Sequence, residues 1–206
     1  DRLCLDDGKE EELYPDWFFS FVKMAEEVFS PTMQELWRKI FAVETARPGS
    51  FSLKTLVMLK QLTQKDAQIF RHAVNLASKR KGESTPKILL GYYQKTNLWS
   101  FFSSNKEHRL NLAEFGLGYP DILSLMDLGL IHHSEIESGE LPLDISTEWR
   151  CAGQTLYLTT KRKGTILVYY KFTTTGAELC KLVTRKQQDA YVKSLKNTLS
   201  NAFNLV

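Results

Sequence analysis

Two stretches decide how the second half of this chain reads: Leu125-Met126-Asp127-Leu128-Gly129-Leu130-Ile131 and Tyr170-Lys171-Phe172-Thr173-Thr174-Thr175-Gly176-Ala177-Glu178-Leu179. In the first, an apolar helical face ends at Gly129, a residue that lets the chain leave a helix and enter a strand. In the second, a strand-forming run stops at threonines, and Thr175 with Glu178 three positions on spells a capping box for a new helix. Between them lie two β-prone segments, Gln154 to Thr159 and Thr165 to Phe172, joined by the polar, glycine-bearing Thr160-Lys161-Arg162-Lys163-Gly164. That pattern predicts a hairpin.

Upstream, Thr63 with Asp66 opens a helix that runs through Phe70 and Val74 to Ala77 and stops at the basic turn Lys79-Arg80-Lys81-Gly82. Ile88 to Tyr93 reads as a short strand, and residues 98–110 show no clear period. Asn111 caps a short helix ending at Phe115, and Pro120 begins another bearing Ile122, Leu125 and Met126. The turn between them, Gly116-Leu117-Gly118, makes the pair a helix-turn-helix. The order helix, strand, helix, helix, hairpin, helix is that of a winged-helix-like domain, assigned to residues 63–184. Residues 185–206 form a C-terminal amphipathic helix with Tyr191, Leu195, Leu199 and Phe203 on one stripe, a candidate self-association surface.

Towards the start, residues 1–12 read as an acidic leader and residues 13–62 as a helical module. Its helices begin at Pro15 and at Ser30-Pro31, and Arg47-Pro48-Gly49-Ser50 separates the second from a third with Leu53, Leu56 and Leu59. The expected fold class is therefore α+β and mainly α: an N-terminal helical bundle, then a winged-helix-like domain with a small antiparallel sheet and a C-terminal helix.

With 206 residues and 43% apolar content the chain can fold around its own core without disulfides. Its three cysteines, Cys4, Cys151 and Cys180, are odd in number and widely spaced, which points to a reducing cytoplasm and to neither a disulfide framework nor a zinc site. No apolar run approaches the roughly 20 residues of a membrane span. The start at Asp1 without a methionine suggests a piece of a longer protein. Net charge is only +3, but it is unevenly placed: residues 1–30 carry 3 basic and 9 acidic side chains, residues 161–206 carry 9 and 2.

A winged helix suggests DNA binding, yet the helix that would enter the groove, Asp121 to Leu128, has Asp121, Ser124 and Asp127 as its polar positions and neither Lys nor Arg. Nucleic-acid contact would fall to Lys79, Arg80 and Lys81 in the basic turn and to Lys161, Arg162 and Lys163 at the wing tip. Motifs of hydrolases, NTPases and zinc proteases are absent. Gly116-Leu117-Gly118 lacks the third glycine of a dinucleotide site, and His132-His133, adjacent on a strand, would point to opposite faces. The leading expectation is a non-enzymatic protein-interaction or scaffold module, with a protein partner or a second copy of itself and with no catalytic residue, cofactor, metal or membrane contact. The rival is a nucleic-acid-binding regulator using the basic wing.

The stretch from Asp16 to Phe70 resembles a family of uncharacterised bacterial proteins, a domain of unknown function. The phrases that carry it are Met33-Gln34-Glu35-Leu36-Trp37-Arg38-Lys39-Ile40, Glu44, and Pro48-Gly49-Ser50-Phe51-Ser52-Leu53-Lys54-Thr55-Leu56. The Glu35-Leu36-Trp37 phrase is similar to one in abortive-infection proteins of the alpha type, and that resemblance implies a link to phage defence but brings no catalytic residues. In physical terms Leu36, Trp37 and Ile40 are expected to pack inward, with Glu35, Arg38 and Glu44 on the other side.

Overall fold

The computed structural model of the chain describes residues 13–95 and 108–206. The acidic leader and most of segment 98–110 lie outside the described residues. Two compact units divide the chain, one ending at Gln61 and the other beginning at Leu62.

The first unit has helices α1 (Pro15–Ala25), α2 (Pro31–Ala46) and α3 (Leu53–Gln61). Proline at the first turn starts α1 and α2, where its missing N–H would have no helical partner. Ser30 occupies the cap position of α2, but its hydroxyl makes no capping bond. Trp17, Phe21 and Trp37 form the core with ring centroids 5.1 Å apart in succession, and the Trp17 indole donates to the Phe51 carbonyl at 2.7 Å. Glu44 departs from expectation. It is buried, and its carboxylate accepts the N–H groups of Gly49 at 2.6 Å and Phe51 at 2.8 Å, holding the turn between α2 and α3. Trp37 and Ile40 are buried as expected.

The second unit has helices α4 (Gln64–Asn75), α5 (Tyr119–Asp127), α6 (Thr174–Leu179) and α7 (Asp189–Leu199). Its strands are β1 (Ser78–Arg80), β2 (Lys87–Gln94), β3 (His108–Arg109), β4 (Ile136–Glu140), β5 (Ser146–Cys151), β6 (Gln154–Thr160), β7 (Thr165–Lys171) and β8 (Phe203–Leu205). All eight join one antiparallel sheet in the order β4-β7-β2-β1-β5-β6-β8, with β3 paired to β2. This corrects the expected fold class. The sheet is large and central, so the chain is not a helical bundle followed by a winged helix with a small sheet.

The decisive difference is the hairpin. Residues 154–160 and 165–171 are strands, but they do not pair: β6 lies between β5 and β8, while β7 lies between β2 and β4. The true hairpin is β5–β6, closed by Ala152 (φ 45°) and Gly153 (φ 94°), two positive-φ residues whose twist suits a two-residue turn. Residues 161–164 instead link the two halves of the sheet. Lys161 N–H bonds the Ala202 carbonyl, the Glu140 carboxylate accepts from Gly164 N–H, and Lys95 N–H bonds the Gly164 carbonyl.

The two phrases that mark the helix-to-strand and strand-to-helix junctions lie against one another. Ile131 and Phe172 form a β-bridge, Thr173 N–H bonds the Leu130 carbonyl at 3.0 Å, and the Thr173 hydroxyl donates to the Gly129 carbonyl at 2.6 Å. The same hydroxyl accepts from Gly176 N–H at 3.1 Å, so Thr173 caps α6, and Thr175 is buried inside it. Thr63 and Asp66 do form a capping box at α4, and Asn111 caps a 3-10 turn over Leu112–Phe115. The segment 185–206 is not a free amphipathic helix. Tyr191, Leu195 and Leu199 on α7 and Phe203 on β8 are all buried, and the Tyr191 hydroxyl donates to the Leu89 carbonyl at 2.8 Å. The stripe serves the interior of this unit, which leaves no surface there for a second copy.

Two substitutions test these contacts. A Cβ at Gly176 would stand 2.0 Å from the Leu130 carbonyl oxygen, so Gly176→Ala should cost roughly 3 kcal/mol, read as a lower urea midpoint. Glu44→Ala strands the buried N–H of Phe51 and removes the acceptor of the part-buried Gly49 N–H, and should destabilise the first unit by roughly 2 kcal/mol, read from its unfolding by tryptophan fluorescence.

Candidate functional site

Alternation along three adjacent strands builds one exposed basic face. On β1 Lys79 points out and Ser78 in; on β5 Arg150 points out while Trp149 and Cys151 are buried; on β6 Thr155 and Tyr157 point out while Leu156 and Leu158 are buried. Register aligns the outward set: Lys79 stands opposite Arg150, Arg150 opposite Thr155, and Glu148 opposite Tyr157. Lys81, one residue past β1, continues the ladder by donating its N–H to the Glu148 carbonyl at 2.9 Å.

Where β1 turns away, the face opens into a cleft of about 480 Å³ lined by Lys79, Arg80, Lys81, Gly82, Glu83, Glu148 and Arg150. Two of its cations are paired, Lys81 with Glu148 at 2.7 Å and Arg80 with Glu83 at 4.0 Å. The hydrogen bond and charge of Glu148 raise the Lys81 pKa above its ordinary value, so this ammonium keeps its proton. Glu83 also pairs with Lys87, a buried lysine whose ammonium lies 4.6 Å from the Tyr169 ring centroid and 5.4 Å from that of Trp149. Lys79 and Arg150 have no ion-pair partner among the described residues.

The structure therefore gathers Lys79, Arg80 and Lys81 with Arg150 but separates them from the second basic triplet. Lys161, Arg162 and Lys163 are exposed on the link between β6 and β7, at no hairpin tip, and the Lys161 ammonium donates to the Ser200 carbonyl at the C-terminal end of α7. The expected wing contact is thereby corrected, since there is no wing. Arg150 and Tyr157 escaped the sequence reading. Their signal was the alternation Thr147, Trp149, Cys151 then Leu156, Leu158, which marks a strand on each side of Ala152-Gly153.

Other ionisable groups are set apart from this face. Burial pushes the Cys151 thiol up to about 11 and the Cys180 thiol up to about 12, and it pushes the Tyr191 hydroxyl up as well. Tyr170 is raised to about 12 by burial and by Glu135, to whose carboxylate its hydroxyl donates a hydrogen bond at 3.1 Å. Among the described residues, no group of three or more His, Cys, Asp or Glu side chains could hold a metal ion. No helix among them is long and apolar enough to cross a membrane.

A family model described as a protein of unknown function (DUF2806) matches residues 2–196. No curated protein and no solved structure matches the chain.

The raised thiol values give a direct expectation. In a Cys4→Ser background, the native protein at pH 8 should yield almost no fast reaction with a thiol reagent, and two equivalents after unfolding. Because both folded values lie above the ordinary thiol value of 9.0, this contribution to stability is complete below about pH 9 and is lost as pH rises towards about 11 for Cys151 and about 12 for Cys180.

Proposed function

We propose that this chain, which belongs to the family described as a protein of unknown function (DUF2806), is a non-enzymatic interaction module whose contact surface is the basic face of β1, β5 and β6. The observation that carries this reading is the Lys79–Arg150 pair. Like charges directly opposite on adjacent strands destabilise a sheet, and a bound anion would remove that cost. The neighbouring carboxylates Glu83 and Glu148 are both engaged by cations of the chain, so they do not neutralise the pair.

The non-enzymatic part is supported by Cys151 and Cys180, whose buried thiols keep their protons and are poor nucleophiles. The proposal sets the module in the cytoplasm, where such thiols stay reduced. The link to phage defence comes with the Glu35-Leu36-Trp37 resemblance and adds no residue to the face.

The test is salt-dependent binding to inorganic polyphosphate. The intact chain should bind at low salt, and the Lys79→Glu, Arg150→Glu variant should bind at least tenfold more weakly with a shallower salt dependence. The charge-matched Arg162→Glu, Lys163→Glu variant should keep most of the affinity. Equal losses in both variants, or no binding by the intact chain at low salt, would refute the assignment.

A further inference from the structure

We infer that the partner of this face is a single-stranded nucleic acid, with one base stacked on Tyr157 and its phosphates held by Lys79 and Arg150. The inference rests on the interaction-module reading above and names its partner.

Tyr157 is the reason to go beyond a generic polyanion. It is 44% exposed in the middle of a strand whose other large side chains, Leu156 and Leu158, face inward. Its backbone is fixed on both sides, paired with Glu148 on β5 and through two hydrogen bonds with Val206 beyond β8. Among the described residues its ring stacks on no other aromatic ring. A rigidly mounted, partly exposed tyrosine on the same sheet face as Arg150 and Lys79 offers what an unpaired base needs.

The cations sit at useful spacings around that ring. Lys79 and Arg150 stand directly opposite one another on adjacent strands, about 5 Å apart across the sheet. Glu148, the acidic residue beside Tyr157, is neutralised by Lys81 at 2.7 Å. Thr155, exposed opposite Arg150, adds a hydroxyl that can donate to a phosphate or sugar oxygen.

Duplex DNA fits less well, because its bases hide their faces in the stack. An acidic peptide could satisfy Lys79 and Arg150 but would leave the Tyr157 ring unused. Base stacking is therefore the property that separates these partners.

Fluorescence anisotropy on the full chain compares three labelled probes of matched charge: an oligothymidylate of about 12 nucleotides, an abasic oligomer of the same length, and a poly-aspartate peptide. The oligothymidylate should bind roughly tenfold tighter than the abasic oligomer. Tyr157→Ala should erase that preference and Tyr157→Phe should keep it, with circular dichroism showing both variants folded. Equal affinity for the first two probes, or an unaffected preference in Tyr157→Ala, overturns the nucleic-acid assignment. If the shared affinity still falls in the Lys79→Glu, Arg150→Glu variant, the interaction-module reading survives that result. Tighter binding of poly-aspartate replaces the nucleic acid with an acidic protein segment. Failure of all three probes, together with polyphosphate, brings down the module reading itself.

Discussion

A single hydroxyl group ties the helical and sheet parts of the second unit together. The Thr173 Oγ1 donates to the Gly129 carbonyl where α5 ends and accepts from the Gly176 N–H where α6 begins, so two helix termini share one residue. This requires the backbones to come closer than any side chain at position 176 would allow, and glycine is the residue that permits it. Phe172, beside this contact, meets Phe70 of α4 edge to face at 6.0 Å, which fixes α4 against the end of β7. The ends of α5 and β7 and the start of α6 thus meet at Thr173, and the Phe172 ring adds α4 to them.

With β7 placed, the long β2–β7 ladder follows, and β2 in turn meets β1, whose other edge carries β5. The basic face depends on that chain of pairings, because Lys79 comes from β1 and Arg150 and Tyr157 come from a hairpin far along the sequence. Beneath it, Lys87 holds Glu83 from inside the fold. Burying a lysine is costly unless its charge is met, and here a carboxylate and two aromatic rings meet it. The arrangement draws one of the two cleft carboxylates towards the interior and leaves the outer surface positive.

The sequence made the element junctions legible but not their partners. Gly129, Thr63 with Asp66, Asn111 and the Pro15 and Pro31 starts could all be read, because capping and turn chemistry are local. Pairing is not local. Gln154–Thr160 and Thr165–Lys171 look like a hairpin by proximity and by the glycine between them, whereas Ala152-Gly153 is a weaker turn signal than Asn-Gly and hid the real one. Strand β1 was lost because Ser-Lys-Arg has no apolar alternation, and β4 because Ile-Glu-Ser-Gly-Glu reads as an acidic loop. Glu44 and the Tyr191 to Phe203 stripe show the same limit: a helical face can be read from spacing, but what covers it cannot. Of the candidate face, the cations Lys79, Arg80 and Lys81 were visible as a charge run, while Arg150 and Tyr157 needed the register.

Strand β1, only three residues long, is the seam between the two halves of the sheet. The β5–β6 hairpin closes a short loop and can form within microseconds, but joining Arg80 to Trp149 closes a loop of some 70 residues, an entropic cost that grows slowly with length yet must be met before any contact compensates it. High contact order of this kind slows folding. A newly made chain would consequently bring Arg150 and Tyr157 together early, within one hairpin, and set Lys79 opposite Arg150 late, only when the seam has closed.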